Sequence, residues 1–414
     1  MRPKPPANCT HGTHCECSGD MSQVQSMHAE SAVFWAIGGA ALLKSGGRAK
    51  VRRSMFNDLR LSIFSASQQV HDVAFVLMHE GGVSCTHLPA NATGLPCAEH
   101  PRTNRSWVVT SKTSDHCQLG PPSLQPNQLL LIHVDPFQHQ LHLVRDQLFS
   151  FRSCGGCFKP SFGGGPSSRK GGEAWRAVQT HPSFNSTTKQ AFRYGEMLGY
   201  GTWFRYIAHR ILIPLGVRRA LYLDGDTCSI RPLQGLFRIA RNVTAPLVVS
   251  RRAVPQWKLR YWLAEKGTDV KVASTRWGFE SWRDDEVHMF NSGVMLMNLQ
   301  AYCLADIWGR MRSLAHHHAT VSRLFGPLDT VKEFGDNQAI EIVGAAHSHM
   351  VGTEWNCRHS SALKSLRAVD TGRPCHIRHI HEDEKHKGLG SIQTCANLVA
   401  KHERARPTVR RALW

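Results

Sequence analysis

An apolar segment, Arg219-Ala220-Leu221-Tyr222-Leu223, runs directly into Asp224-Gly225-Asp226. Residues of that kind read as a buried strand, and the strand stops where two carboxylates flank a glycine. In open α/β sheets the ligand crevice lies beyond the carboxyl ends of the strands, so the acidic pair stands where a ligand binds. Two aspartates in this spacing lie about 7 Å apart at their Cα atoms and converge when the chain turns at Gly225. Hard oxygen donors suit Mg²⁺ or Mn²⁺, ions that also bind diphosphate oxygens, and the pair is therefore a candidate metal-diphosphate clamp. The competing description is a loop with one solvated aspartate and one Asx-turn aspartate. The apolar strand ahead of it favours the clamp.

Other short apolar runs place that strand in a larger sheet. Ala32 to Gly39 and Val73 to Met78 read as strands on either side of a basic helical stretch, Val51 to Ser65. Strand, helix, strand is the beginning of a parallel α/β sheet. Leu129 to Val134 is a further strand, and Phe204 to Leu215 has helical apolar spacing. With 414 residues the chain has room for two or three domains, or for one large α/β domain with insertions. A content of 41% hydrophobic and 20% charged residues excludes collagen-like, coiled-coil and wholly disordered chains.

The expected division is a disordered leader over 1–31, one domain over 32–390 and a basic tail over 391–414. Inside the domain, 84–128 reads as an insertion and 152–185 as a flexible loop. The leader's Cys9, His11, His14, Cys15 and Cys17 lack the paired spacing of a zinc module, and Cys154-x-x-Cys157 has no second pair. The apolar run Ala32 to Leu43 falls short of the roughly 18–20 residues that span a bilayer, and a buried strand running into a helix explains it better. Neither a signal peptide nor a membrane anchor is visible.

Lysine and arginine total 50 against 31 acidic residues, a net charge of +19 that calls for an anionic partner. The basic residues crowd at Lys44–Arg53, Arg169-Lys170 and Arg404–Arg411, with little aromatic interleaving for base stacking. Nucleic acid is therefore disfavoured. An odd count of 13 cysteines leaves at least one thiol unpaired, and sequons at Asn8, Asn91, Asn104, Asn185 and Asn242 lean toward a secretory compartment.

Three further segments carry chemistry. Phe290 to Leu299 couples a small polar turn to a buried strand; Asn291 can donate to a sugar hydroxyl, and Gly293 lets backbone approach a ligand. Gly335-Asp336-Asn337-Gln338 opens a helix, with Asp336 near its amino end as an N-cap or a working acid. His376 to Lys387 is rich in histidine and lysine, and the alternation leaves open which imidazole points inward. His316-His317-His318 reads as a surface run.

In this order, Tyr222-Leu223-Asp224-Gly225-Asp226-Thr227, Asn291-Ser292-Gly293, Gly335-Asp336-Asn337-Gln338 and Trp355-Asn356-Cys357-Arg358 resemble the family 8 retaining glycosyltransferases. That group contains glycogenin, bacterial galactosyltransferases and the glucoside xylosyltransferases; the last segments look most like the xylosyltransferase and LARGE-type branch. The resemblance implies an α/β fold with a single GT-A type nucleotide-diphospho-sugar transferase domain, a Rossmann-like, mostly parallel mixed sheet flanked by helices.

It also implies transfer of a sugar, of xylose or glucose type, from a UDP-sugar to a hydroxyl of a glycan or glycoprotein acceptor, with Mn²⁺ or Mg²⁺. Asp224, Asp226 and His379 would hold the metal, with His376 and His381 as competitors for the histidine position. Asp224, Gly225, Asp226 and Lys385 would bind the donor, and Asp336, Asn291 and Arg210 would act in catalysis. Where the family has G-D-Q-D, this chain has an amide, Gln338, in place of the second acid. A catalytically inactive sugar- or nucleotide-binding domain of the same fold is the alternative. The branch works in the Golgi or secretory lumen.

Overall fold

The computed structural model describes residues 30–37, 49–81, 83–100, 124–135, 139, 141, 200–251, 290–317, 336–357, 368 and 371–380. The 152–185 loop with Cys154 and Cys157, the tail 391–414 and the leader's Cys/His cluster lie outside the described residues.

Alternating apolar side chains that can be buried on both faces make a central strand of a parallel sheet. In β1 (Ser31–Ile37), Ala32 and Phe34 face one layer of the core while Val33, Trp35 and Ile37 face the other. Residues 32–37 of the run read from sequence as a strand, and weighed as an anchor, thus form an interior strand, and 38–43 lie outside the described residues. β2 (Ala74–His79) and β5 (Arg219–Leu223) pair with β1 on either side, both parallel to it. The sheet is completed by β3 (Cys97–Glu99), β4 (Leu129–His133), β7 (Leu247–Arg251), β8 (Phe290–Asn298) and β9 (Ser348–Val351), in the order β3-β4-β2-β1-β5-β8-β7-β9. Only β8 runs against the other strands of this sheet.

Helices cover both faces. On one, α1 (Ala49–Ser67) inserts Leu59, Ile63 and Ala66, and α4 (Gln234–Asn242) inserts Leu236, Phe237 and Ala240. On the other lie the segment 200–217, α5 (Leu299–Leu304), α6 (Ile307–His317) and α7 (Asp336–Ala345), which bury Tyr302, Trp308, Ile340 and Val343. The helical spacing of Phe204 to Leu215 resolves into a 3₁₀ segment (Gly201–Ile207), α3 (Ala208–Leu212) and a last 3₁₀ turn (Ile213–Leu215). Pro214 has no N–H to continue the α-helix, and Gly216, at φ 83°, turns the chain out through the left-handed region.

The stretch read as an insertion over 84–128 contributes to the sheet at its start. A 3₁₀ turn (Cys85–His87), the short α2 (Ala90–Thr93) and β3 are bound by a Cys85–Cys97 disulfide, and β3 pairs with β4 as an edge strand. Its polar composition fits an edge, where one side of the strand meets solvent. Among the described residues no helix is long and apolar enough to cross a membrane.

Beside the large sheet, β6 (Thr227–Ser229) and β10 (Ile377–His379) form a two-stranded antiparallel ribbon in which His379 stands opposite Thr227. This ribbon sets the site.

Candidate functional site

β1 and β5 leave the sheet side by side, and the chain departs in opposite directions from them: toward β2 and β4 on one side, toward β8 and β7 on the other. Such a switch opens a crevice at the carboxyl ends of the strands. Asp224 follows β5 at that point. Its turn is closed by Thr227, whose N–H and hydroxyl both donate to the Asp224 carbonyl, at 3.1 and 2.7 Å. Ser62 of α1 backs the turn at 3.2 Å from the Thr227 hydroxyl, and the Trp35 indole N–H donates to Ser62 at 2.9 Å.

β10 then carries His379 across the turn. Its Nε2 lies 3.3 Å from Asp226 Oδ1 and 3.7 Å from Asp224 Oδ2. One ligand atom from each of Asp224, Asp226 and His379 falls within 4.8 Å of the others, with the aspartates half-buried and the imidazole buried. Two carboxylates and an imidazole are a donor set for a hard to borderline divalent ion, so the residues fit a metal.

The two oxygens of Asp224 have separate tasks. Oδ2 faces His379, while Oδ1 accepts the Tyr222 hydroxyl at 2.6 Å and Arg205 Nη1 at 3.4 Å. Arg205 is buried, with its guanidinium 5.0 Å from the ring centres of both Tyr206 and Tyr222 and a further bond to the Ser292 carbonyl. Sequence reasoning missed both residues. Tyr222 was legible, because positions two apart on a strand share a face. Arg205 stands as a lone charge within Trp203-Phe204-Arg205-Tyr206, which is signal enough to ask what anion it meets.

From below, β8 reaches past the end of β5 so that the Asp224 N–H donates to the Gly293 carbonyl at 2.8 Å. Asn291-Ser292-Gly293, read as a turn, lies inside strand β8, in the stretch where the pairing with β7 shifts register between Met295 and Phe290. The Asn291 side-chain oxygen accepts the Gly293 N–H at 3.1 Å and Asn356 Nδ2 at 2.9 Å. Asn356 Oδ1 in turn lies 3.1 Å from His379 Nδ1. A second disulfide, Cys357–Cys375, joins the segment after Asn356 to the approach of β10.

The other candidates are spread more widely. Gly225 forms the turn between the two aspartates, over Leu59. His376 stacks on Trp355 at 4.0 Å with its Nδ1 on the Pro232 carbonyl, while His381 and Lys385 lie outside the described residues. Asp336 is the first residue of α7, and Gln338 lies in its first turn. Arg210, in α3, is half-buried, and its charge falls on His139 and His209. The arginine that reaches Asp224 is Arg205, one and a half turns earlier, because the 3₁₀ segment and not α3 passes beneath the acidic turn.

Burial first, and the Arg210 charge second, lower the His209 pKa from 6.5 to about 3, and burial holds His139 near 4. Below pH 6.5 the unfolded chain takes up a proton that buried His209 refuses, so stability falls as the pH drops from 6.5 toward 3. At about 1.4 kcal/mol per pH unit, acidification to pH 5 costs about 2 kcal/mol through this residue. Urea midpoints at pH 7 and pH 5 should differ less in His209→Asn than in the wild type. An unchanged difference would remove His209 as its source.

The mixed, mostly parallel eight-strand sheet with its flanking helices is of GT-A type, and the family match makes the chain a nucleotide-sugar-dependent glycosyltransferase. The chain belongs to glycosyl transferase family 8, whose profile matches residues 172–379, half of its length. Among solved structures it is similar to galactosyltransferase LgtC in complex with donor and acceptor sugar analogues, at 12% identity and TM-score 0.46 over 90% of this chain and 95% of that one. Mouse xyloside xylosyltransferase 1 in its apo form is similar at 14% identity and TM-score 0.38, over 86% and 98% of the two chains. Core-mannan synthase A from Aspergillus fumigatus, in an Mn/GDP form, is similar at 9% and 0.36, over 84% and 80%. No curated protein matches the chain.

Proposed function

We propose that the chain transfers a sugar of xylose or glucose type from a UDP-sugar to a hydroxyl of a glycan or glycoprotein, retaining the anomeric configuration and requiring Mn²⁺ or Mg²⁺. The observation that carries this reading is the convergence of Asp224, Asp226 and His379 at the carboxyl end of β5. These three residues would hold a divalent cation, and its Lewis-acid charge would favour departure of the diphosphate.

The chain's own residues prepare that charge. Tyr222 and Arg205 hold Asp224 Oδ1, which leaves Oδ2 directed at His379. Preorganised groups of this kind need no rearrangement when charge develops, which is where most electrostatic catalysis originates. In this reading Lys385 neutralises the departing phosphate, and Asp336 and Asn291 orient the donor sugar and the acceptor, a positioning contribution of several kcal/mol, on the order of 7 or more at its best. The departing phosphate oxygen takes the acceptor's proton, so no separate general base is required. Arg210 joins Lys385 in answering the charge on the departing diphosphate, while the guanidinium that meets Asp224 is that of Arg205.

A lumenal, oxidising compartment belongs to the same proposal. It is supported by the Cys85–Cys97 and Cys357–Cys375 disulfides and by the exposure of Asn91 and Asn242, two of the sequon asparagines. The amide at Gln338 favours a second reading, a domain that binds a nucleotide sugar without turning it over.

A panel of UDP-sugars tests both. UDP release from at least one donor in Mn²⁺, lost in EDTA, is the expected result. Donor binding with no release from any sugar supports the second reading, and neither binding nor release overturns both.

A further inference from the structure

We infer that Asn356 is a positioning residue that fixes His379 as its Nδ1–H tautomer, so that the Nε2 lone pair faces Asp224 and Asp226. The inference rests on reading this cluster as a metal centre. Its starting point is a group whose polarity is not in question, the backbone N–H of Gly293, which can only donate. It donates to Asn291 Oδ1 at 3.1 Å and so fixes that amide with its oxygen inward.

The same oxygen receives Asn356 Nδ2 at 2.9 Å, and the Asn291 carbonyl lies 3.4 Å from that nitrogen as well. With two acceptors at this end, only the NH₂ of Asn356 fits there. Its oxygen is left at the other end, 3.1 Å from His379 Nδ1. An amide oxygen only accepts, so Nδ1 carries the hydrogen.

A neutral imidazole protonated at Nδ1 has its lone pair on Nε2, the atom 3.3 Å from Asp226 Oδ1 and 3.7 Å from Asp224 Oδ2. In that tautomer the Nε2 lone pair and the two carboxylates present three ligand atoms to one spot, a set that a divalent cation satisfies. Asn291, Asn356 and His379 are each buried, so water does not compete for the relay. The backbone reinforces it: the His379 N–H donates to the Cys357 carbonyl, and the Cys357 N–H to the Ile377 carbonyl. The Cys357–Cys375 disulfide joins the flanks of the same two segments. Groups that orient a metal-ligating histidine in this way change metal affinity 10–100-fold, roughly, when removed.

The test uses the full chain. Mn²⁺ titration followed by electron paramagnetic resonance should give Asn356→Ala an affinity about 10–100-fold below wild type. Nitrogen-15 spectra of histidine-labelled, metal-free wild type, with the His379 signal assigned by its loss in His379→Gln, should show the hydrogen on Nδ1. That measurement needs no variant of Asn356 to fold.

Wild-type-like Mn²⁺ affinity in Asn356→Ala overturns the inference, and so does a hydrogen on Nε2 in the wild-type spectrum. A wild type that binds no Mn²⁺ and releases no UDP overturns the metal reading itself, and the inference with it. The two failures are thereby told apart.

Discussion

Asp226→Ala lowers metal-dependent UDP-sugar turnover by about 10³-fold or more, while its circular-dichroism spectrum stays that of the wild type. The size follows from what the side chain does. Removing one preorganised group that answers developing charge costs roughly 10²–10³ in rate, and here the group also holds the ion. The spectrum is preserved because the turn does not depend on this carboxylate: Thr227 closes it on the Asp224 carbonyl, and the Asp226 carbonyl, which the substitution keeps, receives the Ile380 N–H at 3.0 Å. Turnover retained within tenfold of wild type in a correctly folded variant would remove the aspartate pair from the mechanism.

Gly293→Ala should be nearly as damaging, by a different route. An added Cβ would meet the His379 ring, at 2.8 Å from Nδ1, and Asp224 Oδ2 at 2.5 Å. Neither neighbour is a flexible chain end. His379 is tied at its backbone to Cys357 and at Nδ1 to Asn356, and Asp224 is tied to Tyr222 and Arg205. The methyl therefore displaces a ligand of the candidate metal centre, and Mn²⁺ affinity and turnover should fall together, each by about 10²-fold. Overpacking of a filled site costs about 1–3 kcal/mol of stability as well. Equilibrium dialysis against Mn²⁺, beside urea unfolding, separates the two effects. Undiminished ion binding in Gly293→Ala would mean that His379 and Asp224 do not close on a shared ion.

The acidic turn and the strands around it were legible because strand periodicity is a local property. Apolar residues on both faces of Ala32 to Ile37, Ala74 to Met78 and Arg219 to Leu223 mark interior strands of a parallel sheet, and the carboxyl end of such a strand is where a ligand binds. The helix that begins at Asp336 was equally readable. The edge strand Cys97–Glu99 was not, since three half-buried or exposed residues carry no apolar period and owe their place to a disulfide and to β4.

The amino-acid sequence by itself determined the α/β class and the acidic turn at the end of β5. The tertiary structure decided which side chains stand around the turn: His379 beside both aspartates while His376 stacks on Trp355, Arg205 against Asp224, and Asn356 behind the imidazole. The reason is that the first set depends on neighbours one or two positions away, whereas the second depends on the β6–β10 pairing and the path of the 3₁₀ segment. Both bring together residues far apart in the chain, and no local period encodes such a meeting.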